Sequence, residues 1–287
     1  MRKLRTSGSV GGRAGNRSVY PTTIIGGAMT KLQFMQLGEV NDVRQYLGTV
    51  LEKRGRPDDL WVFRGQRERI WDPTPQIDRT DFVAYRQEIG WDRPKHEAFL
   101  LNEFKRAARP LAPTPPQNDW EWLALAQHHG LATRLLDWTT NSLGALFFAC
   151  EEQHSSADSV VWCYHHEGKA ANPSENPFDS TFVTSYWPPH VTQRITVQGG
   201  CFTSHSAPTK RPLLKWPGDL RQLVIPAASR HRMRRELAQL GIVKSTLFPD
   251  LDGIAATINH RASMDKAFQP SAPIRKPASR RPRSSEA

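Results

Sequence analysis

Apolar positions along the chain recur with two periods, and these mark most of its elements. Val40, Val43, Leu47, Val50 and Leu51 fall at helical spacing ahead of Gly55, which predicts an amphipathic helix over 39–54. Leu60 to Arg64 alternates, with Trp61 and Phe63 on one face and Val62 on the other, as a short strand does. Residues 66–94 are rich in charge and proline and read as irregular. Leu100, Leu101, Phe104, Ala107, Ala108 and Leu111 then predict a helix over 95–109 that breaks at Pro110, before a Pro-rich loop at 110–116. Asp119 is placed to cap a helix over 120–129, and Asn141 or Ser142 to cap another over 143–152. The second is apolar on nearly every side, so it must be buried on nearly every side.

Ser159 to Tyr164 reads as a strand, followed by an irregular stretch over 165–190. Two further strands are expected at Arg194 to Gln198 and Leu220 to Ile225. A helix from Ser229 to Leu240 would turn Met233, Leu237 and Leu240 inward and stop at Gly241. Pro249 opens a last helix carrying Leu251, Ile254, Ala255 and Ile258. No internal repeat is present. The expected fold is one α+β domain over about 30–260, with a mixed, mainly antiparallel central sheet flanked by helices.

Charge changes this picture at the ends only. The net charge is +11 over 287 residues. Residues 1–18 hold Arg2, Lys3, Arg5, Arg13 and Arg17 and no acid, and 261–287 hold seven basic residues against Asp265 and Glu286. That leaves 27 basic and 26 acidic residues in 19–260. The basicity belongs to two tails, 1–28 and 261–287, rich in Gly, Ser, Pro and Arg. Such tails bury too little apolar area to order themselves and suit weak, non-specific association with nucleic acid. Met29 is an alternative start to Met1. Apolar runs such as Leu143 to Cys150 fall far short of the roughly 18 residues that span a bilayer, and no apolar segment follows the basic N-terminus as in a signal peptide. A cytoplasmic protein without a membrane partner is expected. Cys150, Cys163 and Cys201 form no CxxC pair and sit among apolar residues, as buried thiols do.

Three segments depart from ordinary packing. The first is Phe63-Arg64-Gly65-Gln66, where an arginine closes an apolar strand. The second is Gln127-His128-His129 through Arg134, Asp137 and Thr139 to Ser142, and the third is Gln198-Gly199-Gly200-Cys201. His129 shares a helix face with Trp122, Leu125 and Ala126, and His128 with Glu121 and Ala124, so one of the two is expected to turn inward. Arg134 and Asp137 lie among Leu135, Leu136 and Trp138, and charges in such surroundings need partners. Asp137 can pair with Arg134, orient a histidine, or pair with Arg64. The start of the 143–152 helix offers amides to an anion, with Thr139, Thr140 and Ser142 as further donors. Arg64 adds a fork suited to phosphate or carboxylate. Adjacent histidines at 128–129 and 165–166 point to different sides, so no metal site is expected. No phosphate-loop or dinucleotide glycine fingerprint is present.

These residues carry a resemblance. WVFRGQ at 61–66, LLNEFKR at 100–106, the long block at 119–152 containing AQHHGLATRLLDWT, VVWCY at 160–164, QRITVQGGCFT at 193–203 and LFPDLDGIA at 247–255 resemble the FRG domain, named for its Phe/Tyr-Arg-Gly motif. The order and spacing agree over about 30–258. More distantly, an Arg-Gly at the end of a first strand, a Ser/Thr-rich turn and an apolar helix resemble the arginine–serine–glutamate class of ADP-ribosyltransferases. That likeness implies Arg64 on phosphate or ribose and Thr139 and Thr140 in the Ser/Thr position. Gln198 stands where that class has glutamate, and a glutamine holds a ribose hydroxyl without supplying the transition-state charge.

Taken together, the expected pocket is lined for binding by Arg64, Gly65, Gln66, Gln127, Arg134, Thr139 and Thr140. His128, His129, Asp137 and Gln198 are its candidate catalytic groups. Three functions stay open. One is a nucleotide-handling enzyme with NAD as substrate, performing ADP-ribosyl transfer or NAD glycohydrolysis. The second is a non-catalytic module that binds a nucleotide or a protein partner, and the third is nucleic-acid binding through the tails. No cofactor is required by any of them.

Overall fold

A computed structural model describes residues 19–25, 28–53, 59–112, 114–151, 156–189, 199–206 and 216–264. Most of both tails, the expected strand at 194–198 and Gln198 lie outside the described residues. The strands are β1 (Val19–Ile25), β2 (Ala28–Gln33), β3 (Met35–Glu39), β4 (Trp61–Gln66), β5 (Leu135–Thr139), β6 (Ser159–His166), β7 (Thr184–Tyr186), β8 (Gly200–Ser204) and β9 (Gly218–Ile225). The helices are α1 (Val43–Lys53), α2 (Thr80–Glu88), α3 (Arg93–Ala108), α4 (Asp119–His128), α5 (Ser142–Ala149), α6 (Ala227–Gln239), α7 (Lys244–Leu247) and α8 (Leu251–Met264). Short 3-10 turns form at Gln76–Asp78, Arg109–Leu111 and Pro177–Asp179.

β1 and β2 make an antiparallel pair, and the other seven strands form one sheet in the order β3-β9-β6-β4-β5-β8-β7. The β3–β9 pair is parallel and every other pair in that sheet is antiparallel. This is the mixed, mainly antiparallel α+β fold that the sequence implies. The period-2 pattern explains its layers. Trp61 and Phe63 of β4, Val161 and Cys163 of β6, and Leu223 and Ile225 of β9 pack against α1, α5 and α6. On the reverse face Val62, Trp162, Tyr164, Trp138 and Val224 pack with Leu32, Phe34 and Trp216. A third cluster joins α3 and α4 to Leu135, Tyr186 and Phe202. All three cysteines are free and buried.

Several expectations need correction. The 66–94 stretch holds α2 and a 3-10 turn. α2 turns Arg86 inward rather than an apolar stripe, so no helical period marks it. Residues 135–139 and 200–204, to which periodicity assigns no element, are paired strands, and 165–190 contains β7. Asn118, not Asp119, caps α4 by accepting from the Glu121 amide. Asn141, not Ser142, caps α5. Leu240 is exposed just past α6. In α8, Leu251, Ile254, Ala255 and Ile258 face outward while Gly253 and Thr257 are buried. A methyl on Gly253 would stand 2.0 Å from the Phe248 carbonyl oxygen, so α8 docks by closeness rather than by an apolar stripe. Among the described residues no helix is long and apolar enough to cross a membrane.

Candidate binding cleft

The site begins with a break in the sheet. β4 and β5 are neighbours, yet they share one residue pair, Phe63 with Thr139. Beyond it Arg64, Gly65 and Gln66 keep their pairing with Trp162, Val161 and Val160 of β6, while Asp137 and Trp138 pair with Phe202 and Cys201 of β8. The two strands therefore splay apart from Phe63 and Thr139 onward, and backbone groups facing the gap need other partners. Arg64 supplies one, as its guanidinium donates to the Asp137 carbonyl oxygen at 3.0 Å and lies 3.5 Å from the Asp137 carboxylate.

Gly65 and Gln66 fix the floor of this opening. A methyl on Gly65 would stand 2.0 Å from the Ala145 carbonyl oxygen and 2.6 Å from the Ala149 amide nitrogen. The glycine is therefore needed for the close approach of α5 to β4. Buried Gln66 accepts from the Trp162 indole and donates to the Asp72 carbonyl oxygen at 3.4 Å. That bond ties the 67–75 loop to the sheet. Arg69 is held from the other side by the Asp158 carbonyl oxygen at 2.7 Å.

The result is a cleft of about 830 Å³, within the usual range for small-molecule sites. Arg64, Arg79, Asp137 and Thr139 line it, with Ile70 and Trp71 on the loop side. Burial pushes the Arg64 guanidinium pKa down, Asp137 opposes that, and the charge of Arg79 adds to the depression. Arginine stays charged regardless. Its Nε is buried and has no hydrogen-bond partner. The lining also holds Arg67 and the acids Asp72, Asp78 and Glu151, so both signs of charge meet in the cleft.

Asp137 is held from behind. Gln127 Nε2 donates to Asp137 Oδ2 at 3.0 Å, and the Thr133 hydroxyl donates to Gln127 Oε1 at 2.6 Å. Of the residues expected in the pocket, Arg64, Gly65, Gln66, Asp137 and Thr139 line it, and Gln127 stands one hydrogen bond behind. Gln198 lies outside the described residues, and the remaining four do not line it. His128 ends α4 half-buried and His129 is exposed, with their rings 5.1 Å apart, and neither lines the cleft. Asp137 orients no histidine because Gln127 occupies that position. The expected inward histidine is replaced by the Trp120, Leu123 and Ala124 face of α4.

Arg134 is not paired with Asp137. It is fully buried, with Nε 3.0 Å and a terminal nitrogen 2.6 Å from the two carboxylate oxygens of Glu97, and it donates to the Pro177 carbonyl oxygen at 2.6 Å. Alternation in β5 separates the two: Asp137 is exposed at the gap, and Arg134 enters beneath the sheet. Arg134 belongs to a buried ionic cluster. Arg93 lies 3.4 Å from Glu97 and 2.8 Å from Asp78, and Arg86 lies 3.6 Å from Asp78. Thr140 is also outside the lining, its amide bonded to the Gly199 carbonyl oxygen at 3.0 Å. At the N-terminus of α5, Asn141 accepts from the Gly144 amide and Thr139 Oγ1 accepts from the Asn141 amide, so two of its donors are already engaged.

The loop wall carries no periodic signal in the sequence. Ile70, Trp71 and Arg79 fall in the segment read as irregular, and an aromatic and an arginine among prolines was the available signal. Burial pushes the thiols of Cys150 and Cys163 up to about 12 and that of Cys201 higher.

A family model for the FRG domain matches residues 59–158, and the chain carries an FRG domain over that span. The span runs from just before β4 to the turn before β6, so it takes in both strands of the split, the loop wall and α5. No curated protein and no solved structure matches the chain.

Proposed function

We propose that the cleft binds a nucleotide through its phosphate groups, with NAD as the leading candidate. ADP-ribosyl transfer or NAD glycohydrolysis is the chemistry it would serve. The observation that carries this reading is Arg64, a largely buried guanidinium lining a cleft that also holds Arg79. A planar fork with open donors suits a phosphate oxygen pair. Asp137, fixed by Gln127, offers an acceptor for sugar hydroxyls beside it.

A second reading, a binding module without catalysis, is favoured by one observation. His128 and His129 are absent from the cleft, so the general base expected from them is not there. One experiment addresses both. The protein is heated with NAD or ADP, and nicotinamide release is followed by mass spectrometry. Saturating ligand at a hundredfold excess over Kd adds about 2.7 kcal/mol of stability, which raises Tm in wild type and not in Arg64→Ala. Release above the Arg64→Ala control supports the enzyme, and a Tm rise without release supports the module. Neither effect in wild type removes the nucleotide reading.

A further inference from the structure

Trp71 is set apart from most tryptophans of this chain. Of the nine, all but Trp71 and Trp187 lie against another aromatic or histidine ring among the described residues. Trp71 is 46% exposed and its neighbour Ile70 is 85% exposed, although both line the cleft. Trp187 does not line it. An indole left in water beside an exposed isoleucine forgoes the burial such rings ordinarily gain. Local bonds hold it there: the Trp71 amide donates to the Glu68 carbonyl oxygen at 3.2 Å, and Asp72, next in sequence, is tied to Gln66. The platform is therefore preformed, not the tip of an untethered loop.

Two parts of the cleft lining thus differ in chemistry. Arg64 is largely buried and offers charge, while Trp71 and Ile70 are open to solvent and offer a flat apolar surface. We propose that Trp71 is the platform for the ligand's planar base, so that the nucleotide enters phosphate first and leaves its base stacked at the mouth. This rests on the nucleotide reading above and deepens it. Stacking on an indole is tolerant of base identity, because every base has a π face. Stacking by itself therefore selects for a planar ring rather than for one base.

The test is calorimetric titration of the full chain with pyrophosphate, ADP and UDP. Wild type, Trp71→Ala, Trp71→Phe and Arg64→Ala are compared, each checked for an unchanged Tm. The expected result is that Trp71→Ala weakens ADP and UDP by about tenfold and leaves pyrophosphate within twofold, while Trp71→Phe recovers most of the loss. Arg64→Ala weakens all three ligands. The platform is overturned if Trp71→Ala leaves ADP unchanged, if it weakens pyrophosphate as much as ADP, or if wild type binds pyrophosphate no less tightly than ADP. A wild type that binds none of the three overturns the nucleotide reading and the platform together.

Discussion

Arg134 and Glu97 form a buried two-point ion pair, with contacts of 3.0 and 2.6 Å across 37 residues of sequence. The pair joins the entry of β5 to α3, and Arg93 links it onward to Asp78. The same segment as Asp78 carries Arg79 into the cleft. The ionic cluster therefore underlies one wall of the site.

That cluster holds Arg86, Arg93 and Arg134 against Asp78 and Glu97, one positive charge in excess. Removing an acid worsens the excess, and removing an arginine cancels it. Glu97→Gln should therefore cost more than Arg134→Met, at about 3–5 kcal/mol for the loss of a buried partner. Urea denaturation of the two variants measures the difference, and an equal or reversed order would show that charge balance does not govern the cluster.

Gly65→Ala places a methyl where the α5 backbone already stands. A backbone carbonyl cannot rotate away as a flexible side chain can. A loss of roughly 1–3 kcal/mol or more is expected, read as a lower Tm, together with weaker ADP binding as β4 and α5 separate. An unchanged Tm would mean that the helix moves freely.

Burial lowers the pKa of His205 to about 3, with Arg93, Arg134 and Arg64 adding to the effect. His96, His166 and His260 are also lowered, each first by burial. A histidine lowered on folding is protonated first in the unfolded chain. For His205 the stability contribution is therefore complete above the ordinary histidine range and falls as pH drops from about 6.5 towards 3, at about 1.4 kcal/mol per pH unit, and the other three act in the same direction. Asp78 is raised by burial and takes up its proton earlier in the folded chain, so it opposes this fall. Denaturation midpoints at pH 7, 6 and 5 should decline, and His205→Gln should flatten the decline.

His128→Ala and His129→Ala should leave ADP affinity within twofold, whereas Gln127→Ala should weaken it severalfold by freeing the Asp137 carboxylate. Titration calorimetry on the three variants separates the residue that holds the site from its neighbours in sequence.

The sequence announced what periodicity and motif can carry. The α5 helix, β4, β6 and the burial of the thiols follow from apolar pattern alone, and Arg64 stood out because charge rarely ends an apolar strand. Three things were hidden for physical reasons. β5 shows no legible period because Asp137 and Arg134 disguise its alternation, one facing the gap and the other the ionic cluster. α2 was lost because it buries an arginine rather than an apolar stripe. The placement of His128 and His129 outside the cleft depends on how α4 seats its tryptophans against α3 and β7, which no local pattern encodes. Trp71 and Arg79 reach the cleft through a loop whose path is set by Gln66 and Asp158, far apart in sequence.

The methyl missing from Gly65 acts as a spacer. Its absence sets how far α5 may sink beneath β4, and that depth sets where Arg64, one residue earlier, can stand relative to the carbonyl oxygen of Asp137. The residue with no side chain to offer a ligand thus calibrates the reach of the one that has most to offer.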